Sequence, residues 1–212
     1  MTRLSREVSV KVWGEFACFT RPEYAAERVS YPCITPPAAQ GLLSAIFWKP
    51  QFSWRITQIE LLAPPKWGSI TRNEVKKRAS RQSEGIDVTD TKAVRVQRHS
   101  LILRDVAYII RARADLKPDA DAAPAKYTEQ FDRRVERGAF FTPPYLGLRE
   151  YACWFSEVGA EDKPIEFSQK VGPMVLDLGY HGDKGQFVSP IFFDANFENG
   201  ILAVPSLAAV GT

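Results

Sequence analysis

Metal-binding spacings are missing from this sequence. Its three cysteines, Cys18, Cys33 and Cys153, form no Cys-x-x-Cys pair, and His99 and His181 form no His-x-x-x-His pair. We therefore expect no metal site. An odd, scattered cysteine set also suits a reducing cytoplasm better than a disulfide scaffold. No stretch approaches the roughly 18 uninterrupted apolar residues that a membrane span needs. Met1 to Val8 contains no apolar core of a signal peptide, so neither a membrane segment nor a leader is expected. Neither G-x-x-x-x-G-K-[ST] nor G-x-G-x-x-G occurs, which removes support for ATP and dinucleotide chemistry and leaves no cofactor to expect. Charge of one sign is scarce too: the net charge is only +3. The total says nothing about nucleic acid, and the distribution has to be read instead.

The 212 residues are 45% hydrophobic and 25% charged, enough to bury a core in one large domain or two small ones. Val8 to Thr20 alternates, with Val8, Val10 and Val12 on one side, and reads as a strand in which Gly14 permits a bulge or close approach. Thr35-Pro36-Pro37 opens a helix: Thr is a good N-cap, and Pro is tolerated in the first turn. Ala39, Leu42, Leu43, Ile46 and Phe47 then form one apolar face, and Lys49-Pro50 ends it. Phe52 to Ala63 alternates again. Lys66 to Thr91 has no periodicity and carries Lys66, Arg72, Lys76, Lys77, Arg78 and Arg81 against Glu74, so residues 66–91 read as a mobile basic loop. Arg95 to Ala112 is a β-branched stretch, one strand or two halves around Asp105. Tyr127, Phe131 and Val135 mark a second helix that Gly138 closes, with Arg133, Arg134 and Arg137 on its outer side. Tyr145 to Glu157 reads as a strand, and short strand candidates follow, Ile191 to Phe193 and Ile201 to Val204 the clearest.

The order β-α-β, basic loop, β-α-β, then short strands predicts an α+β fold. A ferredoxin-like domain, of the shape shared by RRM modules, would occupy residues 1–150, with a small antiparallel β-rich region over 151–212. RNA-binding modules of this shape use the open sheet face or its edges.

Five blocks occur in order: VWGEFACFTRPE, ERVSYPCITPPAAQGLLSAIFWKP, RNEV, QRHSLILRDVAYII and YLGLREYACWF. Together they resemble the type I-C (Dvulg) branch of the fifth Cas family, within the RAMP superfamily. The likeness runs from about Val8 to Phe155, and PIFFDANFENG alone continues it further. The resemblance implies metal-independent cleavage of the repeat hairpin in the CRISPR precursor transcript, and retention of the crRNA 5′ handle. It implies as partners the backbone and large subunits of the type I-C surveillance complex and, for some relatives, double-stranded DNA. It also implies a Tyr near the end of the first helix and a Lys or His on the later strand. Phe47 occupies the position that resembles the Tyr, and it has no hydroxyl.

Metal-free RNA cleavage uses the substrate's 2′-OH as nucleophile, so the protein must align it, move protons and stabilise the charged transition state. His99 is the substitute for the missing Tyr that the sequence offers, since an ordinary imidazole titrates near ~6.5; the bland alternative is a solvated strand histidine. Arg98 and Arg104 flank it, as phosphate ligands or as partners of Asp105 and solvent. The basic loop, with Arg72, Lys76, Lys77, Arg78 and Arg81, would follow an RNA backbone or merely keep the protein soluble. Trp48 would stack on an unpaired base beside Lys49, or pack in the core. Two functions stay open: a processing endoribonuclease that remains bound, and a non-catalytic subunit that caps the handle. An unrelated ferredoxin-like RNA-binding domain is a third.

Overall fold

The computed structural model describes residues 3–24, 27–76, 80, 85–86, 89, 94–118, 120, 123–181, 186–187 and 189–210. The elements are β1 (Arg3–Ala17), β2 (Arg28–Val29), α1 (Pro36–Ile46), β3 (Phe52–Leu61), β4 (Lys66–Val75), β5 (Arg95–Leu116), α2 (Pro124–Glu136), β6 (Trp154–Ser156), β7 (Gln169–Asp177), β8 (Tyr180–His181), β9 (Gln186–Phe187), β10 (Ile191–Glu198), β11 (Ile201–Ala203) and α3 (Leu207–Val210). The main sheet runs β6-β1-β5-β3-β11-β10-β7. Its first four strands are the fourth, first, third and second of a βαββαβ unit, which is the ferredoxin-like order, and neighbouring strands among them are antiparallel. Strands β11, β10 and β7 extend that sheet beyond β3.

Alternation decides which side is core. Val8, Val10 and Val12 of β1 pair in register with Ala112, Ile110 and Tyr108 of β5, and all six are buried. Phe52, Trp54, Ile56, Ile59 and Leu61 continue that side on β3. Both helices cover it. The apolar stripe of α2 buries Tyr127, Phe131 and Val135, and α1 buries Leu42, Leu43 and Ile46. Each such aliphatic or aromatic side chain contributes about 1.5–3 kcal/mol by leaving water. Thr35 takes the extended backbone of an N-cap, but its side chain makes no capping hydrogen bond; the Pro pair starts α1 instead. Gly138, at φ +61°, turns the chain after α2.

Asp105 divides β5. It has φ +49°, and β4 pairs with the first half, Arg95 to Arg104, while β3 pairs with Tyr108 to Leu116. The side of the sheet away from the helices is not open in the way the fold class suggested. Lys11 Nζ on β1 lies 2.5 Å from Asp162, and the Ile165 N–H donates to the Leu61 carbonyl at 2.9 Å, so residues 162–165 are fastened to the sheet. Lys11 and the Gly159 N–H hold the Asp162 carboxyl below the usual range. Glu60 on that side is only 3% exposed and pairs with Arg111. Aromatic surface on this side lies at the β6 edge, where Trp13 is half-buried and its register partner Trp154 is 53% exposed.

Tyr145 to Glu157 is a correction: only Trp154–Ser156 is a strand. Leu146, Tyr151 and Cys153 are buried at roughly alternate positions, which imitates a strand, but they line a hydrogen-bonded turn. The Leu146 N–H donates to the Tyr151 carbonyl at 2.8 Å, and the Leu146 carbonyl accepts from the Cys18 N–H at 3.1 Å. Gly14 makes the close approach that its place in β1 suggested, since a Cβ there would strike Leu146 and the Ala152 carbonyl. Gly147 is tighter still: φ is +84°, and a Cβ would collide with the Cys18 carbonyl, a backbone group that cannot turn aside. Gly147→Ala is expected to cost about 2–5 kcal/mol, positive φ and overpacking together. A urea titration checks it, and an unchanged midpoint would contradict this packing.

Candidate nucleic-acid interface

The first ten residues of the predicted basic loop form a strand, and most of the rest lies outside the described residues. Lys66 to Val75 forms β4, paired without interruption to β5 from Lys66↔Arg104 to Val75↔Arg95. The ladder, not a core, supports this hairpin, so its sequence needs no apolar period. Among the predicted cations, Arg72 sits on the inner face, 2.5 Å from Glu150, and donates to the Tyr151 hydroxyl at 3.1 Å. Arg98, its register partner, is 3.0 Å from Glu74. Lys66 lies 3.4 Å from Asp105. Lys76 is exposed at the end of the hairpin; Lys77, Arg78 and Arg81 lie outside the described residues.

His99 faces the other way, beside Thr71, whose hydroxyl is 3.1 Å from Nδ1. That contact engages Nδ1, and the tautomer it selects sets whether Nε2 accepts or donates a proton. Strand alternation therefore separates the predicted catalytic set. Arg98 and Arg104 lie on the face opposite His99, and at ~3.3 Å per residue they stand about 20 Å apart. The stem of Arg104 covers Gly68. The His99 face holds one feature the sequence reading missed, Trp67, 47% exposed. A Trp in a stretch with no period carries no signal of its facing.

Phe47 is equally informative. It is 1% exposed, stacks on Phe52 at 5.6 Å, and lies under the Arg134 guanidinium at 5.4 Å. Arg134 is fixed there by donating to the Ile46 carbonyl at 2.7 Å. The position where the resemblance implies a Tyr is thus part of the core. The next residues leave it: Trp48 is 51% exposed and Lys49 is exposed, as an RNA contact requires. Trp48 lines a cleft of about 620 Å³ over Gly41, with Phe141, Tyr145 and Arg149. A second depression, about 370 Å³, is lined by Arg133, Arg134, Arg137 and Phe140. Nothing in a local window of sequence joins these residues, because residues 139–149 reach α1 only through the fold.

The remaining reactive groups are quiet. Cys18, Cys33 and Cys153 are free and buried; burial pushes all three thiols up, Cys153 to about 12. Burial also raises the Tyr151 phenol, against the lowering effect of Arg72. Among the described residues, no group of three or more His, Cys, Asp or Glu is placed to hold a metal ion, and no helix is long and apolar enough to cross a membrane.

A ferredoxin-like sheet with a cationic hairpin on its third strand and arginine–aromatic clefts beside its first helix defines a RAMP-type protein. Solved structures share the fold. One described as a CRISPR-associated protein superposes with a TM-score of 0.75 at 18% identity, covering 100% of this chain and 98% of the other. A functionally uncharacterized protein of Streptococcus mutans gives 0.71 at 18% identity over the same shares. The family model described as CRISPR-associated protein (Cas_Cas5) matches residues 8–204, and the chain belongs to this Cas5 family, in its Cas5d (type I-C) form. Two relatives are named CRISPR pre-crRNA endoribonuclease Cas5d. That of Thermus thermophilus is 41% identical over 94% of this chain and 91% of its own length. That of Mannheimia succiniciproducens is 37% identical over 97% and 98%.

Proposed function

We propose that this chain is an endoribonuclease that cuts CRISPR precursor RNA at the repeat hairpin and keeps the 5′ handle of its product. The observation that carries this reading is the match, over nearly the whole of both chains, to relatives named for that activity. The RNA's own 2′-OH attacks the adjacent phosphate, without a metal ion, and His99 Nε2 takes part in proton transfer. Arg98 and Arg104 face away from His99, so their place is on other phosphates of the bound strand. Handle retention would seat the chain beside the backbone and large subunits of the type I-C complex, with double-stranded DNA a further ligand of its cationic surface.

One observation favours a second reading, a handle-capping subunit that does not cut: Phe47 is buried where the resemblance implies a proton-transferring Tyr. Incubation of the protein with labelled precursor repeat RNA, followed by size-exclusion chromatography, separates the two. A discrete product co-eluting with the protein is expected. Uncut RNA co-eluting would establish the capping subunit, and RNA eluting alone would overturn both.

A further inference from the structure

We propose that the Phe140–Phe141 ridge splays two consecutive unpaired RNA nucleotides, one base to each side; this rests on the RNA-binding reading above. The ridge is rigidly placed. The N–H groups of Phe141 and Thr142 both donate to the Ala45 carbonyl of α1, at 2.8 and 3.0 Å, and the Ala139 N–H donates to the Arg134 carbonyl at 2.8 Å. Neighbouring side chains then serve different depressions. Phe141, 67% exposed, lines the cleft with Trp48 and Tyr145; Phe140, 48% exposed, lines the depression with the α2 arginines. Two exposed phenylalanines fixed on one ridge forgo the burial that such side chains normally obtain, which marks an interaction site.

Charge identifies the occupant. Arg149 borders the first cleft and Arg133, Arg134 and Arg137 the second, and no acidic residue lines either. Among the described residues, neither Arg137 nor Arg149 belongs to an ion pair within 4.0 Å. Aromatic faces with flanking guanidinium groups suit a single strand: bases stack, and phosphates meet arginine. Gly41 forms the floor. A Cβ there would meet nothing within 4 Å, although glycine inside an exposed helix costs about 1 kcal/mol relative to alanine. The space it keeps open is the space above it, where the first base lies.

Gly41→Leu tests this cleanly, because it fills the cleft while improving helix propensity. The probes are a short single-stranded RNA containing the handle sequence, read by anisotropy, and the same RNA with 2-aminopurine in the unpaired positions. Gly41→Leu should melt at or above the parent temperature. It should bind about 5–150-fold more weakly, the factor that one stacked base is worth, and lose the 2-aminopurine quenching. Phe141→Ala should weaken binding similarly, and Arg149→Ala should also flatten the salt dependence. Parent-like affinity in both Gly41→Leu and Phe141→Ala would overturn the ridge while leaving RNA binding by the protein intact. Parent protein that binds no RNA would instead overturn the underlying reading. A peptide or protein partner captured competitively in the cleft, with RNA affinity unaffected, would also sink the proposal.

Discussion

Trp54→Ala is expected to lower the unfolding free energy by about 3–5 kcal/mol, the range for removing a large buried aromatic. Trp54 joins three elements. Its ring meets Phe52 edge-on at 5.0 Å and Phe131 of α2 at 4.8 Å, and its Nε1 donates to the Phe47 carbonyl at the end of α1, 2.9 Å away. Truncation would leave a cavity under both helices and strip a buried carbonyl of its donor, two costs that add. Against a typical total of about 5–15 kcal/mol, the variant would lose about a fifth or more of its stability. Trp54→Phe would keep the ring contacts and lose only the hydrogen bond, about 1–2 kcal/mol with repacking. Urea titrations of both variants check the order; equal midpoints would mean that Trp54 is not the junction.

The second large effect is on chemistry. With His99 as the proton-transfer group, His99→Ala is expected to slow single-turnover cleavage by about 10²–10⁴-fold while leaving RNA affinity within twofold. Thr71→Val should act more weakly and through His99, since it removes the hydroxyl beside Nδ1 and leaves the ring. Its effect should vanish in the His99→Ala background. A cleavage rate that survives His99→Ala would return the imidazole to the status of a solvated strand residue. Proton transfer would then belong to another part of the chain.

The elements that were legible in the sequence were those whose burial follows a local period. Val8, Val10 and Val12 on β1, Leu42, Leu43 and Ile46 on α1, and Tyr127, Phe131 and Val135 on α2 each repeat as their element's geometry demands, and each is buried. The break at Asp105 was readable as a possible division of β5. Strand β4 was not legible, because its two faces are half-buried and exposed rather than core and solvent. Charged and small residues are acceptable on both, and a ten-residue ladder with β5 supplies the order. The Tyr145 turn misled in the opposite sense, since alternate burial there comes from a loop lying against Gly14. The site divides in the same way. For Trp48 the sequence left an exposed base platform and a core residue both open, and the fold places it 51% exposed beside the exposed Lys49. Phe140, Phe141, Tyr145 and Arg149 were not readable, because their meaning depends on two hydrogen bonds to Ala45, about a hundred residues away in the chain. Phe47 was readable as a departure from what the resemblance implies, and the structure adds that it is a core residue.

Cleavage by the substrate's own 2′-OH leaves a chemical signature that incubation of the protein with its end-labelled repeat hairpin in EDTA, followed by analysis of the product ends, would read. One discrete cut is expected, leaving a 2′,3′-cyclic phosphate upstream and a 5′-hydroxyl downstream. A product bearing a 5′-phosphate, or cleavage abolished by EDTA and restored by Mg²⁺, would contradict that chemistry.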